Sequence, residues 1–449
     1  MWGSSLGWGV PEPTEPDQVA RYSPARVCRP APRPDWSKVT ALGARRTLVR
    51  LLSVVGPGLV VMLADTDAGS LITAAQSGAQ WGYKLLPLQL ALIPVLFIVQ
   101  ELTVRLGLVT GQGHGELILQ RYGRGWAILS VSTLAVASLG ALITEFAGVA
   151  GVGALFGIPA WASVGPAVLA LLLIAWTGSY RRVERVALIL GAFELVFLGV
   201  VWAAHPNGAV LVHDLTHAPW QDRRFLYLAA ANVGAVIMPW MVFYQQSAAV
   251  DKGLGVQDLR LARWDTAWGA AITQLVMAAV LITTAAAFAQ RPPQSLGTVQ
   301  QIAAGLTAAL GPVSGKLLFA LGVLGASLLA AVVVSLAAAW GVGEVAGFRR
   351  SLEDRPREAP WFYAVYTASL VVGGAVVVSG INLIQLSVAV EVMNALLLPV
   401  VLGFLFLLAR SSLPKPYRLS GGAAVLVGGV LLITSGFGVF SVVSSLLTP

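Results

Sequence analysis

Two aspartates lie within an otherwise apolar stretch of the sequence. The stretch begins Gly56-Pro-Gly58, continues through apolar residues to Asp65-Thr-Asp67-Ala-Gly69-Ser70, and is apolar again as far as Gly78. This composition predicts a helix that breaks near its middle, since freed backbone groups at membrane depth must face a cavity. Carboxylate and carbonyl oxygens are hard donors suited to a cation. A helix restarting behind an aspartate or serine N-cap is the alternative, and the two interpretations are compatible.

A second apolar stretch carries a matching interruption. It reads Asn232-Val-Gly-Ala235-Val-Ile-Met238-Pro239-Trp240. Proline removes a backbone donor and opens a helix, and Met238 can direct its thioether and carbonyl inward, although a gap-filling core methionine is the alternative. Paired interruptions in the two halves of a chain indicate a transporter binding site.

Ionisable groups at membrane depth are costly and usually functional. Glu391 and Asn394 are one helical turn apart and therefore share a helix face, with a packing acid as the alternative for Glu391. Glu145 lies among small residues that predict close helix contact. Seven acids are assigned to membrane depth rather than to loops or the tail: Asp65, Asp67, Glu101, Glu145, Glu194, Glu344 and Glu391.

The elements that must position these groups are transmembrane helices. The chain has 449 residues, of which 57% are hydrophobic and 11% charged, whereas a soluble domain carries about 25% charged residues. This excludes a soluble enzyme, a secreted disulfide scaffold and a disordered protein. The single cysteine, Cys28, excludes an intrachain disulfide and a cysteine-based metal cage. An all-α integral membrane protein is therefore predicted.

Eleven stretches are long and apolar enough to span a bilayer. Their approximate bounds are 53–79, 85–107, 126–151, 160–176, 186–204, 225–249, 264–289, 317–340, 361–380, 383–409 and 420–446. If the N-terminus is cytoplasmic, 24 of the 29 Lys and Arg residues fall inside and five outside. We therefore expect a multi-pass protein of the inner (plasma) membrane with its N-terminus cytoplasmic and its C-terminus outside. The same asymmetry accounts for the net charge of +8 without nucleic acid as a partner.

Three segments are expected. Residues 1–36 are rich in Pro and Arg and predict a disordered cytoplasmic tail, residues 37–410 form the transporter core, and residues 411–449 form an accessory eleventh helix. All four histidines fall in predicted loops. Among them, His213 and His217 flank Asp214 at a spacing that could bind metal if helical, with ordinary loop residues as the alternative.

The first interruption resembles the signature of the Nramp divalent-metal transporters. The matching residues are Asp67-Ala-Gly-Ser70 and Gln76-Ser-Gly-Ala-Gln-Trp-Gly-Tyr-Lys-Leu-Leu86, and Ala235-Val-Ile-Met238-Pro239 is similar to the family's sixth-helix motif. The resemblance covers spans one to ten. It implies two inverted five-helix repeats of the LeuT type with helices 1 and 6 unwound. It also implies that metal is bound by Asp67, Ser70, Ala235 and Met238, with Glu391 and Asn394 near the ion.

Several residues depart from the family pattern. Trp240 and Gln245 stand where the family has histidines, and Leu142 stands where it has an aspartate three residues before Glu145. These departures put proton coupling in doubt. The runs 238–247, 340–344 and 351–361 resemble instead the Nramp-related magnesium transporters of prokaryotes. Gating or coupling roles are assigned to Asp65, Glu145, Trp240 and Gln245, although Asp65 has no counterpart in the motif.

The expected function is import of Mg²⁺, with Mn²⁺ also accepted, by alternating access without proton coupling. The expected partners are divalent ions and the lipid bilayer, the expected assembly is a monomer, and no cofactor or enzymatic activity is expected. A proton-coupled Mn²⁺/Fe²⁺ importer is the alternative, favoured by the soft thioether of Met238. An organic-solute carrier is disfavoured because no Lys or Arg lies near either interruption.

Overall fold

The computed structural model describes residues 56–289, 295–307, 311–380 and 383–447. All regular elements in these ranges are helices. In chain order they are α1 (Pro57–Asp65), α2 (Ala68–Trp81), α3 (Leu86–Thr110), α4 (His114–Tyr122), α5 (Arg124–Leu155), α6 (Ala160–Trp176), α7 (Tyr180–Ala192), α8 (Val196–Ala203), α9 (Gly208–Thr216), α10 (Arg223–Val236), α11 (Pro239–Asp251), α12 (Leu259–Phe288), α13 (Val299–Thr307), α14 (Pro312–Ala346), α15 (Pro360–Val378), α16 (Leu383–Ser411) and α17 (Gly421–Leu447). Short 3₁₀ segments at Phe193–Leu195 and Val256–Asp258 precede α8 and α12. The predicted tail at 1–36 lies outside the described residues.

Nine helical segments of the described chain are long and apolar enough to cross a membrane, and the bent pair α1–α2 makes a tenth. Helix α6 is apolar but has only 17 residues, which is near the short limit for a span. The all-helical prediction is confirmed, whereas the count of eleven spans and the inverted repeats stay predictions. The predicted span at 186–204 begins earlier, at Tyr180, and contains the 3₁₀ segment.

Both predicted interruptions are present. Helices α1 and α2 meet at an angle of 46° across Thr66 and Asp67. Helices α10 and α11 are separated by Ile237 and Met238, whose extended backbone angles interrupt the helical geometry. Because Pro239 has no N–H, the carbonyl four residues earlier cannot receive its helical hydrogen bond.

The two broken helices lie at the centre of the packing. All residues from Pro239 to Ala249 are buried, as are all from Leu226 to Val236 apart from Tyr227. Helix α10 packs against α16, and α2 packs against α12. Gly234 permits the close approach of α10 to α16, because a Cβ there would meet the backbone of Glu391 and lie 2.9 Å from the amide nitrogen of Ala395. The second interruption is thereby held against the helix that carries Glu391.

The N-terminus of α1 is held from another helix. The N-cap residue of α1 is Gly56, which has no side chain that could cap the helix. Asp265 of α12 accepts from the backbone N–H groups of Gly56, Gly58 and Leu59 at 3.2, 2.9 and 3.2 Å. A carboxylate at a helix N-terminus satisfies free N–H groups and complements the helix dipole.

A candidate cation site between the two broken helices

Asp67 is the N-cap of α2, and its Oδ1 accepts from the backbone N–H of Ser70 at 2.7 Å. The capping role predicted as an alternative is therefore present. It occupies one carboxylate oxygen only, because Oδ2 is buried and has no hydrogen-bond partner. Asp67 can thus cap the helix and offer an oxygen to an ion at the same time.

Ser70 and Ala235 join the two broken helices directly. The Ser70 hydroxyl donates to the Ala235 carbonyl oxygen at 2.9 Å, and this is the carbonyl that Pro239 leaves without its helical donor. The hydroxyl keeps its lone pairs and the carbonyl keeps a second one. Both oxygens therefore remain able to coordinate an ion.

Glu391 and Asn394 approach the same break from α16. The amide of Asn394 donates to Glu391 Oε2 at 3.0 Å, while Glu391 Oε1 and Asn394 Oδ1 are buried without partners. A Cβ at Gly69 would overlap Glu391 Oε1, so this free oxygen lies against the first turn of α2. The predicted pairing of these two side chains on one helix face is confirmed.

Met238 is the N-cap residue of α11 and is fully buried, as is Trp240 beside it. The Trp240 ring nitrogen has no hydrogen-bond partner. Gln245 lies further along α11, where its amide donates to Thr266 of α12 at 2.9 Å. The structure thus places Gln245 in a contact between helices α11 and α12.

Glu145 contacts the broken helix itself. Its Oε2 accepts from the backbone N–H of Ala68 at 3.2 Å, beside the bond that Asp67 makes to Ser70. The carboxylates of Asp67, the N-cap of α2, and of Glu145 on α5 therefore accept from backbone N–H groups in the first turn of α2. Within the described residues, no three His, Cys, Asp or Glu side chains are arranged to hold a metal together. Coordination at the break would therefore combine carboxylate oxygens with hydroxyl, carbonyl and amide oxygens.

Asp65 belongs to a polar network that its own sequence motif does not reveal. Gln274 of α12 donates to Asp65 Oδ2 at 3.2 Å and also contacts Gln89 of α3. Thr66 contacts Thr273, the neighbour of Gln274. The polar pair Thr273-Gln274 in an apolar span is the sequence signal that could have identified this network.

Among the remaining predicted intramembrane acids, Glu101 and Glu344 hold helices together, whereas Glu194 has no assigned role. Glu101 pairs with Arg105 of its own helix, as predicted, and also with Arg263 at 2.7 Å. Glu344 accepts from Ser247 at 2.5 Å and from the backbone of Gly115 at 2.8 Å, and so anchors α4. Glu194 lies in the 3₁₀ segment, beside Thr66, and both of its buried oxygens lack hydrogen-bond partners.

The histidines are not all in loops, contrary to prediction. His114 begins α4 and is fully buried, with Nδ1 3.2 Å from Gln246 Oε1. His213 lies inside α9. Neither helix has the length or apolar periodicity by which spans are recognised, and Gly113 and Asn207 are the local signals for their starts.

Known structures share the fold of this chain. The manganese transporter of Eremococcus coleocola, solved in complex with an aromatic bis-isothiourea substituted compound, has a TM-score of 0.71 at 19% identity, covering 90% of this chain and 89% of that one. The structure of MhsT in complex with L-phenylalanine has a TM-score of 0.60 at 14% identity and covers 86% and 98% of the two chains.

Sequence relatives extend the likeness. The divalent metal cation transporter MntH of Burkholderia ambifaria is 24% identical over 98% of this chain and 97% of its own length. The protein of the same name from Xanthomonas campestris is 28% identical over 74% and 75%. Residues 58–444 match the family described as "Nramp: Natural resistance-associated macrophage protein-like". Since this match includes both broken helices and the helix that carries Glu391, the chain belongs to the Nramp family of membrane transporters.

Proposed function

We propose that this protein moves divalent metal cations through the space between the two broken helices, with Mg²⁺ as its principal ion and Mn²⁺ also accepted. The observation that supports this proposal is the set of buried oxygens without partners at the α1–α2 break. They include Asp65 Oδ1, Asp67 Oδ2, Glu391 Oε1 and Asn394 Oδ1. Buried polar atoms without partners are rare in proteins and call for an explanation, and a cation supplies one.

The donor set favours a hard ion. Carboxylate, hydroxyl, carbonyl and amide oxygens are the donors that Mg²⁺ prefers, and Mg²⁺ usually keeps several of its waters. Glu391 supplies a second carboxylate at the start of α2, which suits an ion held partly through water. The relatives named as divalent metal cation transporters and the fold neighbour named as a manganese transporter support the wider class of substrate.

The membrane potential alone supplies enough free energy to drive uptake of a divalent cation without protons. A divalent cation gains roughly 4.6 kcal/mol when it moves fully through an inside-negative potential of about 100 mV, since each charge contributes about 2.3 kcal/mol. Trp240 and Gln245, which occupy the family's histidine positions, have no group that exchanges a proton near neutral pH. We therefore assign an uncoupled mechanism of alternating access.

One observation favours a second candidate, a proton-coupled importer of Mn²⁺ and Fe²⁺. The buried thioether of Met238 at the second break is a soft donor suited to transition metals. Glu145 supplies a carboxylic group bonded to the first turn of α2 that could carry a proton. The two candidates differ in the proton balance of transport.

Transport by purified protein in liposomes tests both. We expect Mg²⁺ and Mn²⁺ influx driven by an inside-negative potential, with no change in a pH dye inside the vesicles. Acidification in proportion to metal influx would transfer the assignment to the proton-coupled candidate.

Asp67→Asn should abolish influx of either ion. The matched control is Asp222→Asn, because Asp222 is also the N-cap aspartate of a helix but lies at an exposed end away from the break. Asparagine caps as well as aspartate, so the control retains its cap and its transport. Equal transport by both variants would contradict the site.

A further inference from the structure

Two histidines form a pair on the surface at the end of α9. His213 lies in the last turn of the helix and His217 follows it as the C-cap. Their rings are stacked with centroids 4.2 Å apart and planes 3° from parallel, and both residues are exposed. The four-residue spacing places both side chains on one face of the helix.

The contacts of the pair define which nitrogen of each ring carries the hydrogen. His217 Nδ1 lies 2.8 Å from the carbonyl oxygen of His213. Because a carbonyl only accepts, Nδ1 carries the hydrogen and Nε2 keeps its lone pair. His217 Nδ1 also lies 2.9 Å from Thr216 Oγ1, while the Thr216 hydroxyl itself donates to the same carbonyl at 3.0 Å.

The longer contact of His213 is compatible with the same tautomer. Its Nδ1 lies 3.5 Å from Asp214 Oδ1, a carboxylate oxygen that accepts. Asp214 is buried, and its Oδ2 accepts from the backbone N–H of Tyr83 at 3.1 Å, directly after α2. The carboxylate beside His213 is therefore held by the turn that follows α2.

These contacts are those that surround metal-binding histidines. A ligating histidine typically donates its second ring N–H to a carboxylate or a backbone carbonyl, which fixes the tautomer and turns the other nitrogen to the metal. Here one ring uses a carboxylate and the other a carbonyl. Neither Nε2 atom is engaged by any of these contacts.

We propose that His213 and His217 bind one transition-metal ion of the Zn²⁺, Cu²⁺ or Ni²⁺ class through their Nε2 atoms, with water completing the coordination. Imidazole suits these metals, whereas Mg²⁺ prefers oxygen donors. Tetrahedral zinc with Zn–N distances of about 2.0–2.1 Å brings two nitrogens to about 3.3 Å from each other. This is closer than the present ring spacing, and exposed side chains can rotate to close the difference. The surface site is separate from the proposed transport site between the broken helices.

Zn²⁺ titration of the full-length protein, without a polyhistidine tag, tests the proposal by calorimetry and equilibrium dialysis. Relative to wild type, the double variant His213→Gln/His217→Gln should lose one equivalent of bound Zn²⁺ and keep its Mg²⁺ transport. His205→Gln, which changes another exposed histidine, should keep that equivalent. Asp67→Asn should also keep it, because the transport site is not the site of binding.

A second variant tests the orienting carboxylate. Asp214→Asn keeps an acceptor for Tyr83 but loses the charge, and we expect Zn²⁺ affinity to fall by about tenfold or more. Unchanged Zn²⁺ stoichiometry in the double histidine variant would overturn the proposal. Loss of the equivalent in Asp67→Asn alone would also overturn it, since Zn²⁺ would then occupy the transport site.

Discussion

The Ser70 hydroxyl donates to the carbonyl oxygen of Ala235 at 2.9 Å, and that carbonyl is free because Pro239 stands four residues later without an N–H. The extended backbone at Ile237 and Met238, together with Pro239, thus leaves this carbonyl free to join the two broken helices. The contact connects residues 165 positions apart in the chain. It also places both oxygens beside the cap that Asp67 forms on α2.

Pro239→Ala should reduce transport without reducing the stability of the fold. Alanine has an N–H that can donate to the Ala235 carbonyl. This hydrogen bond would lengthen α10 and would compete with Ser70 for the carbonyl oxygen. Because Pro239 is the first residue of α11, where proline and alanine are both tolerated, the variant should unfold at a similar temperature while Mg²⁺ influx falls. Thermal unfolding in detergent and liposome influx measure the two effects. A variant that transports normally would contradict the role of the freed carbonyl.

Glu391→Gln should change ion preference. The substitution keeps the size of the side chain and removes one negative charge from the start of α2. Mg²⁺ depends on hard charged oxygens more than Mn²⁺ does, so the ratio of Mg²⁺ to Mn²⁺ influx should fall by about tenfold, equivalent to about 1.4 kcal/mol. Competition between the two ions in liposomes gives the ratio. An unchanged ratio would show that Glu391 serves only to pack α16.

Gly69→Ala should impair transport through a steric effect on Glu391. The added Cβ would overlap the free Oε1 atom and lie 3.3 Å from Thr144 Oγ1, so the carboxylate must move from its place at the break. The matched control is Gly403→Ala on α16, where a Cβ meets nothing within 4 Å. Influx should fall in the first variant and stay normal in the second. Equal influx would mean that the position of Glu391 does not matter for transport.

Acidification should destabilise the protein through His114. Burial lowers the pKa of His114 from 6.5 to about 4, so the folded state holds the ring neutral while the unfolded state takes up a proton. The contribution of His114 is therefore complete above about pH 6.5 and is lost as the pH falls toward 4. The difference corresponds to about 3 kcal/mol.

Thermal unfolding between pH 7 and pH 4 measures this contribution. In His114→Gln the dependence on pH should be smaller, because glutamine does not titrate. His205→Gln, at an exposed position, serves as the control. Identical pH profiles for wild type and His114→Gln would refute the prediction.

The sequence predicts the broken helices well because their causes are local. Proline, glycine and mid-span aspartate each act within one turn, and Asp67 and Pro239 are found where the helices restart. The pairing of Glu391 with Asn394 follows from helical spacing alone. These features require no knowledge of how distant helices pack.

The contacts between helices could not be predicted in this way. Asp265 holds the start of α1 from more than 200 residues away, and Gln274 reaches Asp65 over a similar separation. Hydrophobic periodicity indicates that a helix exists and which residues are apolar, but it carries no information about which neighbour a polar side chain will face. Gly69 and Gly234 belong to the same class, since their importance depends on Glu391 of another helix.

The two carboxylates that accept from the first turn of α2 replace the positive end of a helix dipole with negative charge at the break. A half-helix whose N–H groups face a cavity attracts anions, and carriers use such ends to receive the carboxylate of a substrate. In this chain Asp67 and Glu145 already take those N–H groups. The protein's own carboxylates thus occupy the helix end that would otherwise attract an anion from solution, and the break becomes better suited to a cation than to a negatively charged solute.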